Sequence, residues 1–461
     1  MPQLNRENVR HLLRRTEVVD RPERVEELLA LGSIEAAVDN VMTVRATPVP
    51  PSFDGIAQDQ EWRRGIRLGD HWIDQLATQP RPFAERMAVF WHGHITTSLQ
   101  KATVDAMVEQ TTLFRSRGLG PAGSRHTVAD LVKTASIQPA MLGYLDNDQN
   151  RASSPNQNFA RELMELFLLE VGNYTEADVE AATAAWTGHT KVAWNIDEHI
   201  FRNDWHETAP QQFLGRTINA AAPSAAGNET IDVILGTGPL GAGTVPVGRN
   251  AGRSSADVAA EFLTRKLRQE FVEADSRGVP AGGGGAMTAA LTTTGFQIRP
   301  WVRAMLTHDD FYADATKTGL VRQPVEYMVA LIVALDLDAI DTVPTWTMRL
   351  AGQQLLYPPN VSGWKPNGYW VNASAISARH SMTGSAQWQH LRHTWDGDDG
   401  YLQIRPNQLS NPDATGQSPN NTYTPPIPAA DFVDLLCEYM KITISEQRRS
   451  RILQHIDQNK N

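Results

Sequence analysis

Apolar residues recur every three or four positions along almost the whole chain, the spacing that lays one stripe of an α-helix on a core. The pattern opens in "RENVRHLLRRTEV" from Arg6, breaks at Asp20–Pro22 and resumes in "ERVEELLALGSIEAAVDNVM". After the proline-rich "RATPVPPSFDG" it predicts helices over about 59–78, 101–117 and 127–145. Between the first two, "RPFAERMAVFWHG" puts Pro82 in a first turn, where its missing N–H costs nothing, and Gly93 at the expected stop. His92 then falls in the last helical turn and His94 just beyond it.

"NFARELMELFLLEVG" reads as a strong helix closed by Gly172. "YTEADVEAATAAWTG" reads as the next, capped by Thr175 with Asp178 three residues on, and stopped by Gly188. From Gly188 to about Gly252 the text is irregular, with short strand-like pieces such as "TKVAW". Helix returns at "SADVAAEFLTRKLRQEFV", around 287–308 and around 322–336, with a flexible loop at "GVPAGGGGA" and a loop-rich stretch over 380–430. No internal repeat is present. The expected fold class is therefore mainly α: a large multi-helix globular domain with loop-rich insertions and few short strands. Residues 1–382 are expected to form one helical domain with an irregular insertion at about 188–252. Residues 383–461 are expected to add a loop-rich segment and a C-terminal helix packed on it.

Composition narrows the class of molecule. At 461 residues, 41% hydrophobic and 20% charged, the chain is long enough for a sizeable core. No apolar run approaches the ~20 residues of a membrane span. A formal net charge of -10 argues against a nucleic-acid or anionic-lipid footprint. Cys437 is alone, which excludes an intrachain disulfide and a cysteine-based metal cluster. The N-terminus as given lacks the apolar core of a signal peptide, so the expected compartment is the cytoplasm.

Four segments in order, "FWHGHITTS", "NQNFARELMELFLLEVGNYTEADVEAATAAWTG", "FLTRKLRQEFV" and "GQQLLYPPNVSGWKPNGYW", resemble the bacterial family known as domain of unknown function 1800. The opening "VRHLLRRT" is similar to that family's start, and the likeness runs from about residue 8 to 382. The resemblance implies relatives that are often exported in folded form and often encoded beside a sulfatase-like partner protein. It implies no established activity. This chain departs from the family pattern at Gly93 (usually asparagine), Gln157 (usually glutamate) and His189 (usually tryptophan), and in "WHETAPQQFLG" around His206 and Glu207. The missing acid at 157 weakens any mechanism that needs three carboxylates.

Candidate chemistry centres on histidines and glutamates. On a helix Asn158, Glu162 and Glu165 fall within about 60° of one another, flanking the stripe of Phe159, Leu163, Leu166 and Phe167. A glutamate pair three residues apart can ligate a metal in a helical bundle or divide acid and base roles. The plain alternative is an Arg161–Glu165 surface pair worth about 0.3–0.5 kcal/mol. His92 and His94 would diverge by roughly 200° on a continuous helix, and turn toward one point only if Gly93 breaks it. Otherwise His92 packs in the core and His94 bonds a terminal carbonyl. His206, in the irregular stretch, is a third candidate, and His189 and His199 rank below it.

In "PPNVSGW" and beyond, Trp364 and Trp370 offer a stacking platform for a sugar ring, or anchors that pin the loop. Arg265 and Lys266 can hold an anionic substrate, or form an ordinary basic face. No phosphate-binding, nucleophile-elbow, zinc-protease or dinucleotide motif is present. The leading expectation is an enzyme in which His92, His94, Glu162, Glu165 and His206 are catalytic and Asn158, Arg161, Trp364 and Trp370 contact substrate. The first four of those side chains double as ligands for a divalent metal (zinc, manganese or iron). Its reaction would be metal-assisted or acid/base hydrolysis of a carbohydrate or ester polymer. The alternative is a non-catalytic helical scaffold binding the sulfatase-like partner or a polysaccharide.

Overall fold

The computed structural model describes residues 2–43, 50–193, 196–219, 222–273, 283–335, 337, 346–365, 367–383, 430–431, 433–434 and 444–458. The glycine run near 278–282, Trp194 and the loop-rich stretch 384–429 lie outside these residues. The chain divides into two compact units, Met1–Ala330 with Ala339–Met382, and Leu331–Asp338 with Thr383–Asn461. In the second, helix Glu446–Gln458 is tied to Asp434 by Arg449 at 2.7 Å.

The first unit is mainly α. Its helices run α1 (Arg6–Thr16), α2 (Pro22–Leu29), α3 (Ile34–Val41), α4 (Glu61–Thr78), α5 (Phe83–His94), α6 (Val104–Arg117), α7 (Val128–Ile137), α8 (Pro139–Tyr144), α9 (Asn158–Glu162) and α10 (Glu176–Ala185). Two short antiparallel hairpins follow, β1 (His189–Ala193) with β2 (Ile196–Phe201), and β3 (Gln211–Phe213) with β4 (Arg216–Ile218). Helices α11 (Ala226–Leu235), α12 (Ser255–Phe271), α13 (Gly283–Thr293), α14 (Ile298–Leu306), α15 (Asp314–Gly319) and α16 (Pro324–Leu335), the last of which belongs to the second unit from Leu331 on, complete the labelled order. The irregular reading from Gly188 onward thus corresponds to two hairpins and α11.

Several elements divide where backbone chemistry demands it. The helix expected over 127–145 becomes two, because Pro139 cannot donate into the preceding turn and instead opens α8. The helix expected over 287–308 splits at Gly295 and Phe296, whose φ values of 65° and 63° are left-handed, and Pro300 sits in the first turn of α14. Thr175 and Asp178 form the expected capping box of α10. Asp178 Oδ1 also accepts from the Leu214 backbone N–H at 2.8 Å, which fastens the β3–β4 hairpin to that helix.

Helix α5 is the centre of the unit. Nearly every side chain from Phe83 to His94 is buried, as expected of a helix walled on all sides. Two indole N–H groups find fixed acceptors there: Trp91 on Gly118 O at 2.8 Å, and Trp301 on Thr264 Oγ1 at 3.2 Å. Its two internal charges are paired, Glu85 with Arg115 at 2.7 Å and Arg86 with both Glu270 at 2.7 Å and Glu326 at 2.9 Å. Unpaired, each would be costly at this depth.

Candidate functional site

Helix α5 continues through Gly93 and ends at His94, so the break that would let both imidazoles face one point does not occur. The reason lies in the fold. The loop at Gly363 (φ 73°) approaches the Gly93 backbone so closely that a side chain on Gly363 would meet the Gly93 carbonyl. Gly93 is the smooth patch on which this loop sits, rather than a helix terminator. Two residues apart on an unbroken helix, the rings diverge by about 200°.

His92 is sealed. It has no exposed surface, its two ring nitrogens have no hydrogen-bond partner among the described residues, and it lies against Trp72 at 5.6 Å and Trp364 at 5.4 Å between centroids. Burial, seconded by the Arg115 charge, holds its imidazole down to about 3, so the ring is neutral. It cannot reach a substrate as drawn from the sequence.

His94 looks the other way. Its ring stacks on Phe90 at 5.9 Å, and its Nε2 lies 2.9 Å from the Phe167 carbonyl. A carbonyl only accepts, so Nε2 carries the proton and Nδ1 keeps its lone pair. Burial first, then the Lys266 ammonium, hold this imidazole down to about 3 as well, against the opposing pull of the Phe167 bond. The freed carbonyl has a local cause. Residues Leu163–Leu168 form a π-helical turn at the end of α9, and the last carbonyls of a helix lack partners within it.

His94 lines an open cleft of about 690 Å³, counting the solvent at its mouth. Trp364 and Trp370 form part of the same wall, with Phe90 and Leu166. Lys266 and Glu270 enter from α12, Gln323 from the start of α16, and Gln353 and Lys365 from the segment beyond. The polar floor is a connected network. Glu270 Oε1 accepts from Arg86 at 2.7 Å and from Gln323 Nε2 at 2.5 Å, and Gln353 Nε2 donates to Gln323 Oε1 at 2.7 Å. Gln353 Oε1 in turn accepts the Val325 N–H at 3.0 Å, capping α16. Such networks fix side-chain amides in one orientation. Trp370 is 2% exposed and acts as wall, whereas Trp364 is half-buried.

The glutamate pair stands elsewhere. Glu162 and Glu165 are not part of the cleft wall, although Leu166, the next residue, is. Burial and the Glu165 charge raise the Glu162 carboxyl above the usual carboxylate range, with Arg161 opposing. Glu165 accepts from the Tyr174 hydroxyl at 3.0 Å. Arg161 pairs with Glu176 at 2.7 Å instead of Glu165, and the Asn158 amide donates to Leu145 O at 3.2 Å. Arg161 and Asn158 therefore have structural partners outside the cleft.

His206 is buried in the insertion, with Nδ1 2.9 Å from Thr187 O and Nε2 3.0 Å from Asn219 Oδ1. It clasps the insertion and does not close the cleft. His189 and His199 pair with each other across β1 and β2 at 3.0 Å. Among the described residues, no group of three or more His, Cys, Asp or Glu side chains is gathered to hold a metal ion. The expected four-ligand set of His92, His94, Glu162 and Glu165 thus does not assemble, since α5 sends its two imidazoles apart and one of them inward.

Three residues singled out in the sequence, His94, Trp364 and Trp370, do meet in the cleft. Lys266, which the sequence offers as a holder of an anionic substrate or, more ordinarily, as part of a basic face, joins them there, whereas Glu270, Gln323 and Gln353 carry no such mark. Their signal is faint: each interrupts or borders an apolar stripe, as many surface residues do.

Among the described residues no helix is long and apolar enough to cross a membrane. No curated protein and no solved structure matches the chain. A family model does match, over residues 11–461, essentially end to end: the chain belongs to the family described as "Protein of unknown function (DUF1800)".

Proposed function

We propose that the chain binds a carbohydrate polymer in the cleft between His94 and Trp364. The observation that carries this reading is the mixture of groups around one open hollow: an aromatic wall, three glutamine amides, a carboxylate and two ammonium groups. Sugar rings present C–H faces that lie against aromatic surface and hydroxyls that need donors and acceptors together. Trp364 supplies the half-buried indole. Glu270 has one oxygen committed to Arg86 and Gln323 and a second, Oε2, available as an acceptor. His94 Nδ1 is an acceptor whose orientation is set by the Phe167 bond on the other side of the ring. A polysaccharide ligand also suits the sulfatase-like partner implied by the family resemblance, since both would act on one polymer.

Titration calorimetry with a panel of soluble polysaccharides tests this. Saturable binding is expected for the wild type, weakened at least about tenfold in Trp364→Ala. No saturable binding to any member, or equal affinity in the variant, contradicts it.

A second reading, hydrolysis of a glycosidic or ester bond of that polymer where it runs out of the cleft past Leu166, rests on the Glu162–Glu165 pair. Burial and the neighbouring charge make Glu162 hold its proton more tightly than usual, as a general acid does, and Glu165 stands beside it with the Tyr174 hydroxyl donating to it at 3.0 Å. Turnover that is lost in Glu162→Gln while polymer binding persists supports it. Absence of turnover in wild type that binds polymer leaves the binding reading alone.

A further inference from the structure

Taking the carbohydrate reading as its basis, we infer that the ligand is acidic, and that the Lys266 ammonium in the cleft receives its anionic group. Lys266 lines the cleft from α12, and among the described residues no carboxylate is paired with it. Its ammonium lies 5.3 Å from the Phe262 ring, beside His94. The carboxylate that attracts it, Glu170, and the one on the cleft wall, Glu270, are already engaged. Glu170 is taken by Arg265 at 2.6 Å and Arg249 at 3.2 Å, and Glu270 by Arg86 at 2.7 Å.

His94 gives no negative charge, because its ring is neutral and its proton is spent on Phe167. A second ammonium, Lys365, stands on the wall next to Trp364, 5.9 Å from the Tyr369 ring. Arg86 is shared by Glu270 and Glu326, so this trio carries one uncompensated negative charge against the two ammonium groups, and the cleft keeps a net positive charge in a chain whose formal net charge is -10. Burial pushes the Lys266 ammonium toward its neutral form, Arg265 adds to this, and Glu170 opposes it. An anion at Lys266 would relieve that burden, since a partly desolvated charge gains most from a direct partner. The matching group is a carboxylate, as on a uronic acid residue, or a sulfate ester.

Two pairs of probes separate charge from shape and carboxylate from sulfate: oligogalacturonate against its methyl ester, and dextran sulfate oligomers against dextran. Calorimetry on the full chain is expected to show the charged member of at least one pair binding about tenfold tighter or more. Lys266→Gln, checked for retained fold by circular dichroism, erases that preference, and Lys365→Gln narrows it. Which pair discriminates identifies the anion. Equal binding within both pairs, or a preference that survives in folded Lys266→Gln, overturns the inference while the carbohydrate reading stands. Failure of every charged and neutral saccharide to bind overturns both.

Discussion

Gly363 lies directly against the backbone of Gly93, leaving no room for a β-carbon on the former, while a β-carbon on Gly93 would meet Trp364 at an ordinary 3.5 Å. The two glycines therefore have opposite sensitivities. Gly363→Ala combines a left-handed φ of 73° with a backbone collision and should cost about 2–4 kcal/mol. Gly93→Ala, inside a helix, should be neutral or stabilising by about 0.5–1 kcal/mol. Urea unfolding of both variants checks this, and a Gly93→Ala loss as large as that of Gly363→Ala would restore Gly93 as a helix stop.

His92 makes the fold acid-sensitive. Its folded imidazole is held at about 3, against about 6.5 in the open chain, so the unfolded state takes up the proton first as pH falls. The stability that depends on a neutral ring is complete above about 6.5 and drains between there and 3, at about 2 kcal/mol by pH 5. His11, His94 and His189, held near the same value, act in the same direction. His92→Leu should raise stability at pH 7, because two unpartnered ring nitrogens leave an aromatic shell. It should also lose less stability than wild type between pH 7 and pH 5. Parallel losses in the two proteins would show that His92 finds a proton or a partner in the fold.

Arg86 joins the core to the cleft. It holds Glu270 and Glu326 together while being almost fully buried. Arg86→Met leaves two carboxylates without their cation and should cost about 3–5 kcal/mol. Adding Glu326→Gln should recover part of that loss, since one of the two stranded charges goes. Urea midpoints of the single and double variants decide the matter, and a double variant weaker than Arg86→Met would contradict it.

Much of the fold is legible in the chain because helical spacing of apolar residues is a local property. The Thr175–Asp178 capping box is legible for the same reason, since both partners lie within one turn. Gly93 misled for a non-local reason. Glycine near the end of a helical pattern normally marks a stop, and the loop that packs on it lies some 270 residues further on. The π-helical turn at Leu163–Leu168 leaves no compositional trace, yet it presents the Phe167 carbonyl to His94. Aromatic and histidine candidates are legible because their side-chain chemistry stands out within short segments such as "FWHGHITTS" and "PPNVSGW". Glu270, Gln323 and Gln353 were missed because only the tertiary fold brings α12, α16 and the segment after it to one floor.

Hydrogen–deuterium exchange, with and without the tightest-binding saccharide of the panel, maps the ligand directly. Slowed exchange is expected around residues 266–270 and 362–370, the two walls that carry Lys266 and Trp364. Unchanged exchange there, with slowing instead around Glu162, Glu165 or His206, would place the ligand outside the cleft and contradict the account.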